Sequence, residues 1–131
     1  QQLHRLTSLD AMHRRELLTT AANPDARHDY LVELHGEPAP GTRLTLRYVP
    51  DRAVATPDGV AAYLGALSGT AGTAGPEALA IAVLDDLNNE LIPRWVEVTV
   101  ERTLPVPQRV VIEDRQPGWD NPHLFARMRR V

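Results

Sequence analysis

The sequence predicts an α+β fold: four antiparallel strands arranged as two hairpins, with two helices between the hairpins covering one face of the sheet. Three observations predict it. Apolar and polar residues alternate in Thr42–Val49 and again from Trp95 to Leu104, the pattern of strands with one buried face. Two helix starts, Thr56-Pro57-Asp58 and Pro76-Glu77, stand between those runs. The length of 131 residues, with 43% hydrophobic and 24% charged residues, suits a single soluble core.

Each element follows from local chemistry. Ser8 to Ala21 reads as a helix with Ser8 as N-cap, Asp10 in the first turn and Leu9, Met12, Leu17 and Leu18 on an uneven apolar face; Asn23-Pro24 ends it. Tyr30 to His35 alternates weakly and reads as a strand. Gly36 to Gly41, with two prolines and two glycines, reads as a turn. The next strand places Leu44, Leu46 and Tyr48 on one face and Arg43, Thr45 and Arg47 on the other. From Thr56 the first helix carries Val60, Tyr63, Leu64 and Leu67, then is expected to dissolve in the small, flexible tract from Ser68 to Gly75. The second carries Ala80, Val83, Leu84, Leu87 and Leu91 as its stripe, with Asp85, Asp86, Asn88 and Asn89 expected mostly toward water, and stops at Pro93. In the third strand Val96, Val98, Val100 and Arg102 alternate with Glu97, Thr99 and Glu101. Gln108 to Glu113 returns as the fourth strand. The remainder is polar, with Trp119, Leu124 and Phe125 available to dock on a neighbour. The expected division is an N-terminal helical extension over 1–22, the α+β domain over 23–114 and a polar tail over 115–131.

The composition excludes several chemistries. There is no cysteine, so no thiol nucleophile, disulfide, thiolate metal site or iron–sulfur cluster is available. All 14 basic residues are arginine, which removes the Schiff-base amine and the P-loop lysine. The net charge of −3 gives no basic excess for nucleic acid or an anionic membrane, and no apolar run is long enough to span one. No His/Asp/Glu spacing resembles a metal site, and no cofactor motif is visible, so neither a metal nor a cofactor is expected. A cytoplasmic location is the default expectation.

Among single residues, His35 at the end of the first strand is a candidate acid or base at neutral pH, although an exposed strand-end histidine needs no such role. His28 is read as a local hydrogen-bonding residue. Arg47 and Arg43 face the side of the sheet away from the helices. They either bind an anionic substrate or pair with Glu97 and Glu101 across the strands, the structural pairing being favoured. Trp95 is read as core or interface, with stacking on a ligand ring as the functional alternative. The adjacent Asp85 and Asp86 point about 100° apart on a helix and are read as a solvated face.

An ordered set of motifs adds to this. Asn23-Pro24, Arg27-His28-Asp29-Tyr30, Leu44-Thr45-Leu46-Arg47-Tyr48-Val49-Pro50-Asp51, Val83-Leu84-Asp85-Asp86-Leu87 and Pro93-Arg94-Trp95-Val96-Glu97-Val98-Thr99 follow one another over residues 17–104. Together they resemble the 7-cyano-7-deazaguanine reductase family of queuosine biosynthesis, within the tunnelling-fold (T-fold) superfamily that binds purine-like and pterin-like rings. The resemblance implies the oligomeric barrel of that superfamily, with ligand sites between identical subunits. It implies that Glu77 binds the N–H edge of a heterocycle, which suits a carboxylate able to accept two parallel hydrogen bonds. A glutamate in a first helical turn is also favoured by the helix dipole alone, by about 0.3–1 kcal/mol.

The chain departs from the family pattern in four places. The family's cysteine-bearing loop between the first two strands, with its downstream aspartate, is replaced by the short connection from His35 to Leu44. The nicotinamide-linked, lysine-rich motif becomes Thr56-Pro57-Asp58-Gly59-Val60. The family's His-Glu pair becomes Pro76-Glu77. The glycine-rich end of the third strand becomes Glu101-Arg102-Thr103-Leu104-Pro105. The expectation is therefore a divergent T-fold small-molecule enzyme, with Glu77 and His35 as catalytic candidates and Glu77, Arg47 and Trp95 as substrate contacts. It would use acid–base chemistry (cyclisation, hydrolysis, elimination or isomerisation) rather than thioimide nitrile reduction. The alternative is a non-catalytic ligand-binding or structural partner subunit.

Overall fold

The computed structural model describes residues 11–128. In chain order these form helix α1 over 11–17, β1 (Thr20–Ala22), β2 (Val32–Ala39), β3 (Thr42–Val49), β4 (Ala53–Ala55), α2 (Pro57–Thr73), α3 (Pro76–Leu91), β5 (Trp95–Arg102), β6 (Gln108–Arg115) and α4 (Pro122–Met128). The main sheet is antiparallel in the order β2-β3-β5-β6. The expected hairpin–two helices–hairpin order is what the chain adopts.

The alternation in β3 and β5 sets which face the helices cover. Leu44, Leu46, Tyr48, Val96, Val98 and Val100 are buried against Leu67, Leu79, Val83 and Leu87 of α2 and α3. The opposite face carries Glu33, Thr45, Arg47, Glu97 and Glu101. The register Leu46↔Val98 and Arg47↔Glu97 holds each set on its own side, because a one-residue slip would exchange the faces. Thr56 caps α2 by accepting a hydrogen bond from the Gly59 amide at 3.0 Å, with Pro57 behind it, as read. Ile92, in the left-handed region at φ 46°, and Pro93 end α3.

Four expectations need correction. The first helix does not reach Ala21: the chain becomes extended at Thr20–Ala22, which pairs with Ala53–Ala55 in a separate two-stranded ladder. The partners lie 31 to 35 residues apart, so no local pattern signals the pairing. The proposed Ser8 cap and Asp10 lie outside the described residues. The turn between the first two long strands is shorter than expected. β2 continues through Gly36-Glu37-Pro38 to Ala39 by way of a register irregularity, and only Pro40-Gly41 turns the corner. Gly41 sits at φ +76°, as the second central residue of such a turn requires. Pro38 is tolerated because β2 is an edge strand.

The tract from Ser68 to Thr73 remains helical. Its Ala71 is fully buried, and the Arg102 guanidinium donates to the Ala71 carbonyl at 2.6 Å. Packing and this terminal hydrogen bond outweigh the weak intrinsic propensity of its glycines.

Asp86 is not solvated; its exposure is 0%. Its carboxylate accepts hydrogen bonds from Arg14 Nε at 3.0 Å, Arg15 Nε at 2.8 Å and the Tyr63 hydroxyl at 2.6 Å. These bonds tie α1 and α2 to α3. Burial and the neighbouring carboxylate raise the Tyr63 pKa far above its ordinary value, so the phenol stays a donor. Burial opposes the charge of Arg14, but the Asp86 carboxylate outweighs it and keeps the guanidinium protonated.

Asp86→Ala should strand two cations and a buried hydroxyl. The expected loss is about 3–5 kcal/mol of unfolding free energy, read from urea denaturation. Asp85→Ala, one residue away on the exposed side, should change it by less than about 0.5 kcal/mol.

Candidate functional site

The motif residues converge at one end of the sheet. Arg94, just before β5, donates to Asp29 at 2.8 Å, the Ala26 carbonyl at 2.7 Å and Asp51 at 3.3 Å. Its side chain is 17% exposed, so these charge-assisted bonds are partly shielded from water. The other oxygen of Asp29 accepts from Asn121 Nδ2 at 2.9 Å and Trp119 Nε1 at 3.3 Å. Gln116 donates to Asp51 at 3.0 Å. The segments around Asn23–Tyr30, Asp51 and the C-terminal residues are thus joined through one guanidinium and two carboxylates. These motif residues are structural here, a role that sequence spacing did not distinguish from ligand binding.

The tail folds back on its own sheet. Leu124 and Trp95 are buried together with Val49, and Phe125 stands edge-on to Trp95 at 5.4 Å between centroids. Trp119, Leu124 and Phe125 therefore dock within the chain. Beside α4 a groove of about 400 Å³ runs over the sheet face remote from α2 and α3. Its floor includes Thr45, Arg47, Glu97 and Thr99, and Leu31, Leu124 and Met128 make an apolar wall. Arg47 pairs with Glu97 at 2.8 Å, as favoured from sequence, whereas among the described residues Arg43 makes no ion pair with Glu101.

The candidate residues are distributed as follows. Arg47 and Trp95 are adjacent, the guanidinium carbon lying 5.7 Å from the ring centroid. Trp95 is 2% exposed and its indole N–H donates to Glu113 at 2.6 Å. Its ring is thus occupied by protein. His35 lies on the same sheet face, exposed, with Nε2 at 2.9 Å from Glu33 and Nδ1 at 3.3 Å from Thr45. Glu77 is on the other side of the sheet, exposed in the first turn of α3. Among the described residues its carboxylate has no hydrogen-bonding or ionic partner. Within one subunit the sheet separates Glu77 from His35, Arg47 and Trp95. His28 bonds locally, Nδ1 lying 2.7 Å from Asp25. No cluster of His, Cys, Asp or Glu among the described residues could hold a metal ion, and no described helix is long and apolar enough to cross a membrane.

A four-stranded antiparallel sheet with two helices on one face, inserted between its hairpins, is the architecture of a tunnelling-fold subunit. The chain is 32% identical over 120 residues to the NADPH-dependent 7-cyano-7-deazaguanine reductase of Nitrosococcus oceani, an alignment covering 82% of this chain and 91% of that protein. The chain belongs to the 7-cyano-7-deazaguanine reductase family. No family model matches it. Among solved structures, the apo form of the archaeosine synthase QueF-Like is similar, with 18% identity, 70% of this chain and 96% of that chain covered, and a TM-score of 0.41.

The clamp on Asp29 makes a pH prediction. Partial burial alone would raise its pKa, but the hydrogen bonds from Asn121, Arg94 and Trp119 outweigh it and hold the carboxyl below its ordinary value. Its stabilising contribution is therefore full above the unfolded value of about 3.9 and is lost as pH falls through the lower folded value. Tryptophan fluorescence should report loosening of the tail below about pH 4. Asp29→Asn should destabilise the protein by about 1.5–3 kcal/mol at neutral pH and remove Asp29's share of that acid transition.

Proposed function

We propose that the protein is a small-molecule enzyme of this family that binds a planar, nitrogen-rich heterocycle through Glu77 and processes it by acid–base chemistry, without a covalent thioimide. The observation that carries this reading is the exposed, unpartnered carboxylate of Glu77 in the first turn of α3. A partner-free carboxylate there presents two acceptor oxygens to an aminopyrimidine edge. The tight Pro40-Gly41 turn supports the non-covalent half of the proposal. It closes the hairpin directly where the family resemblance expects a cysteine loop.

Glu77 and the polar sheet face lie on opposite sides of one subunit. A complete site would then draw its remaining groups from another copy of the chain, in a homo-oligomer with ligands at the subunit interfaces. His35 is the candidate proton carrier in that arrangement, its exposed imidazole lying on the polar sheet face beside Glu33 and Thr45.

A second reading is favoured by α4. It fills one end of the polar face with Leu124 and Phe125, as a non-catalytic ligand-binding or structural partner subunit could do.

A thermal-shift screen with 7-deazaguanines, purines and pterins tests the proposal. A bound ring at about 100 times its dissociation constant should add about 2.7 kcal/mol of stability. The shift should appear with wild type and vanish with Glu77→Ala. Turnover of the bound compound, followed by chromatography, separates the enzyme from the partner subunit. No shift with any ring, or a shift that survives Glu77→Ala, contradicts the site.

A further inference from the structure

Among the described residues, the hydrogen bonds that anchor α4 to the rest of the chain lie at its N-terminal end. Asn121 caps it, accepting a hydrogen bond from the Leu124 amide at 3.0 Å, and grips Asp29. Beyond that anchor, among the described residues, its contacts with the rest of the chain are apolar or ring contacts, the largest being Phe125 on Trp95 and Trp119. Seven residues are too few to hold a helix without such packing. Gly118, at φ +77°, precedes it as a point where the backbone turns freely.

Open grooves flank α4. The groove of about 400 Å³ lies against its Leu124 and Arg127 side, and a second cavity of about 340 Å³ lies against its Phe125 side. Arg47, Glu97 and Met128 line both. The two spaces share the Arg47–Glu97 pair and flank α4 on two sides as a cleft.

Phe125 itself sits as a bound ring would. Trp95 and Trp119 meet it edge-to-face at 5.4 and 5.7 Å, and the Arg115 guanidinium lies 4.9 Å from its centroid. We propose that α4 is a displaceable strap over this cleft, and that Phe125 holds the place on Trp95 that a planar aromatic ligand takes when the strap swings aside. The second cavity is bordered by Arg47, Arg115, Glu97 and Glu113, two charges of each sign. That balance selects an uncharged ring whose edge hydrogen-bonds to the Arg47–Glu97 pair. The site is separate from Glu77 and does not depend on the role assigned to it.

The test uses the full chain and benzimidazole at pH 8 as the probe. Hydrogen exchange followed by mass spectrometry should show residues 122–128 exchanging at least about tenfold faster than β5. Benzimidazole should speed exchange in α4 further while protecting β5 around Trp95. By calorimetry, Phe125→Ala should bind the probe several-fold to about tenfold more tightly, because the internal competitor is gone. Phe125→Leu, which keeps apolar bulk but no ring, should bind more tightly than wild type as well. Glu77→Ala should leave the response of α4 unchanged, so the two sites fail separately. Exchange in α4 as slow as in β5, slower exchange in α4 on adding benzimidazole, or affinity unchanged in both Phe125 variants overturns the proposal.

Discussion

The Arg94 guanidinium holds together parts of the chain that sheet pairing alone leaves unconnected. It sits between Asp29 and Asp51 and reaches the Ala26 carbonyl, so the entry to β2, the exit from β3 and the start of β5 share one cation. Through Asp29 the same cation fixes Trp119 and Asn121, and Asn121 starts α4. A planar donor fork suits this task better than an ammonium, which offers a single point of charge. Removing it would leave two half-buried carboxylates facing each other and would free the element that covers Trp95.

A second ionic centre does comparable work on the other side of the sheet. Asp86 is fully buried and satisfied by two arginines and a tyrosine, and it fixes the N-terminal helix and α2 to α3. Between the two centres lies an apolar layer of valines and leucines with little freedom to shift. The consequence for function is a division of labour. The helix side presents Glu77 outward, and the opposite face presents an ionic floor partly covered by the chain's own tail. One subunit therefore separates Glu77 from His35, Arg47 and Trp95, and assembly of copies is the proposed means of bringing them together.

Much of this was legible in the sequence where the signal was local. The alternation of β3 and β5 identified both faces of the sheet, and the pairing of Arg47 with Glu97 shows which register holds them apart. The Thr56-Pro57 and Pro76 starts placed both long helices. What failed depended on contacts distant in sequence. Thr20–Ala22 is a strand only because Ala53–Ala55 lies beside it. Residues 68–73 stay helical because Ala71 is buried and Arg102 caps its carbonyl. Asp86 reads as solvent-facing until Arg14 and Arg15 arrive from 72 and 71 residues away. The fold back of α4 was illegible for the same reason: seven residues carry no signal of the surface that receives them. At the candidate site, the position of Glu77 in the first turn was visible from Pro76-Glu77. The structural role of Asp29, Asp51 and Arg94 was not, because motif spacing does not separate ligand contacts from the bonds that hold a loop.

The central claim is that a chain without a thiol binds a heterocycle at the start of α3. Backbone amide NMR during titration with 7-deazaguanine tests it most directly, because the perturbed residues locate the ligand. The account predicts shifts concentrated at Glu77–Leu79 and at the surface that a neighbouring copy presents to them, with the ligand recovered chemically unattached. Shifts confined to other elements, or no shifts at saturating ligand, would contradict it.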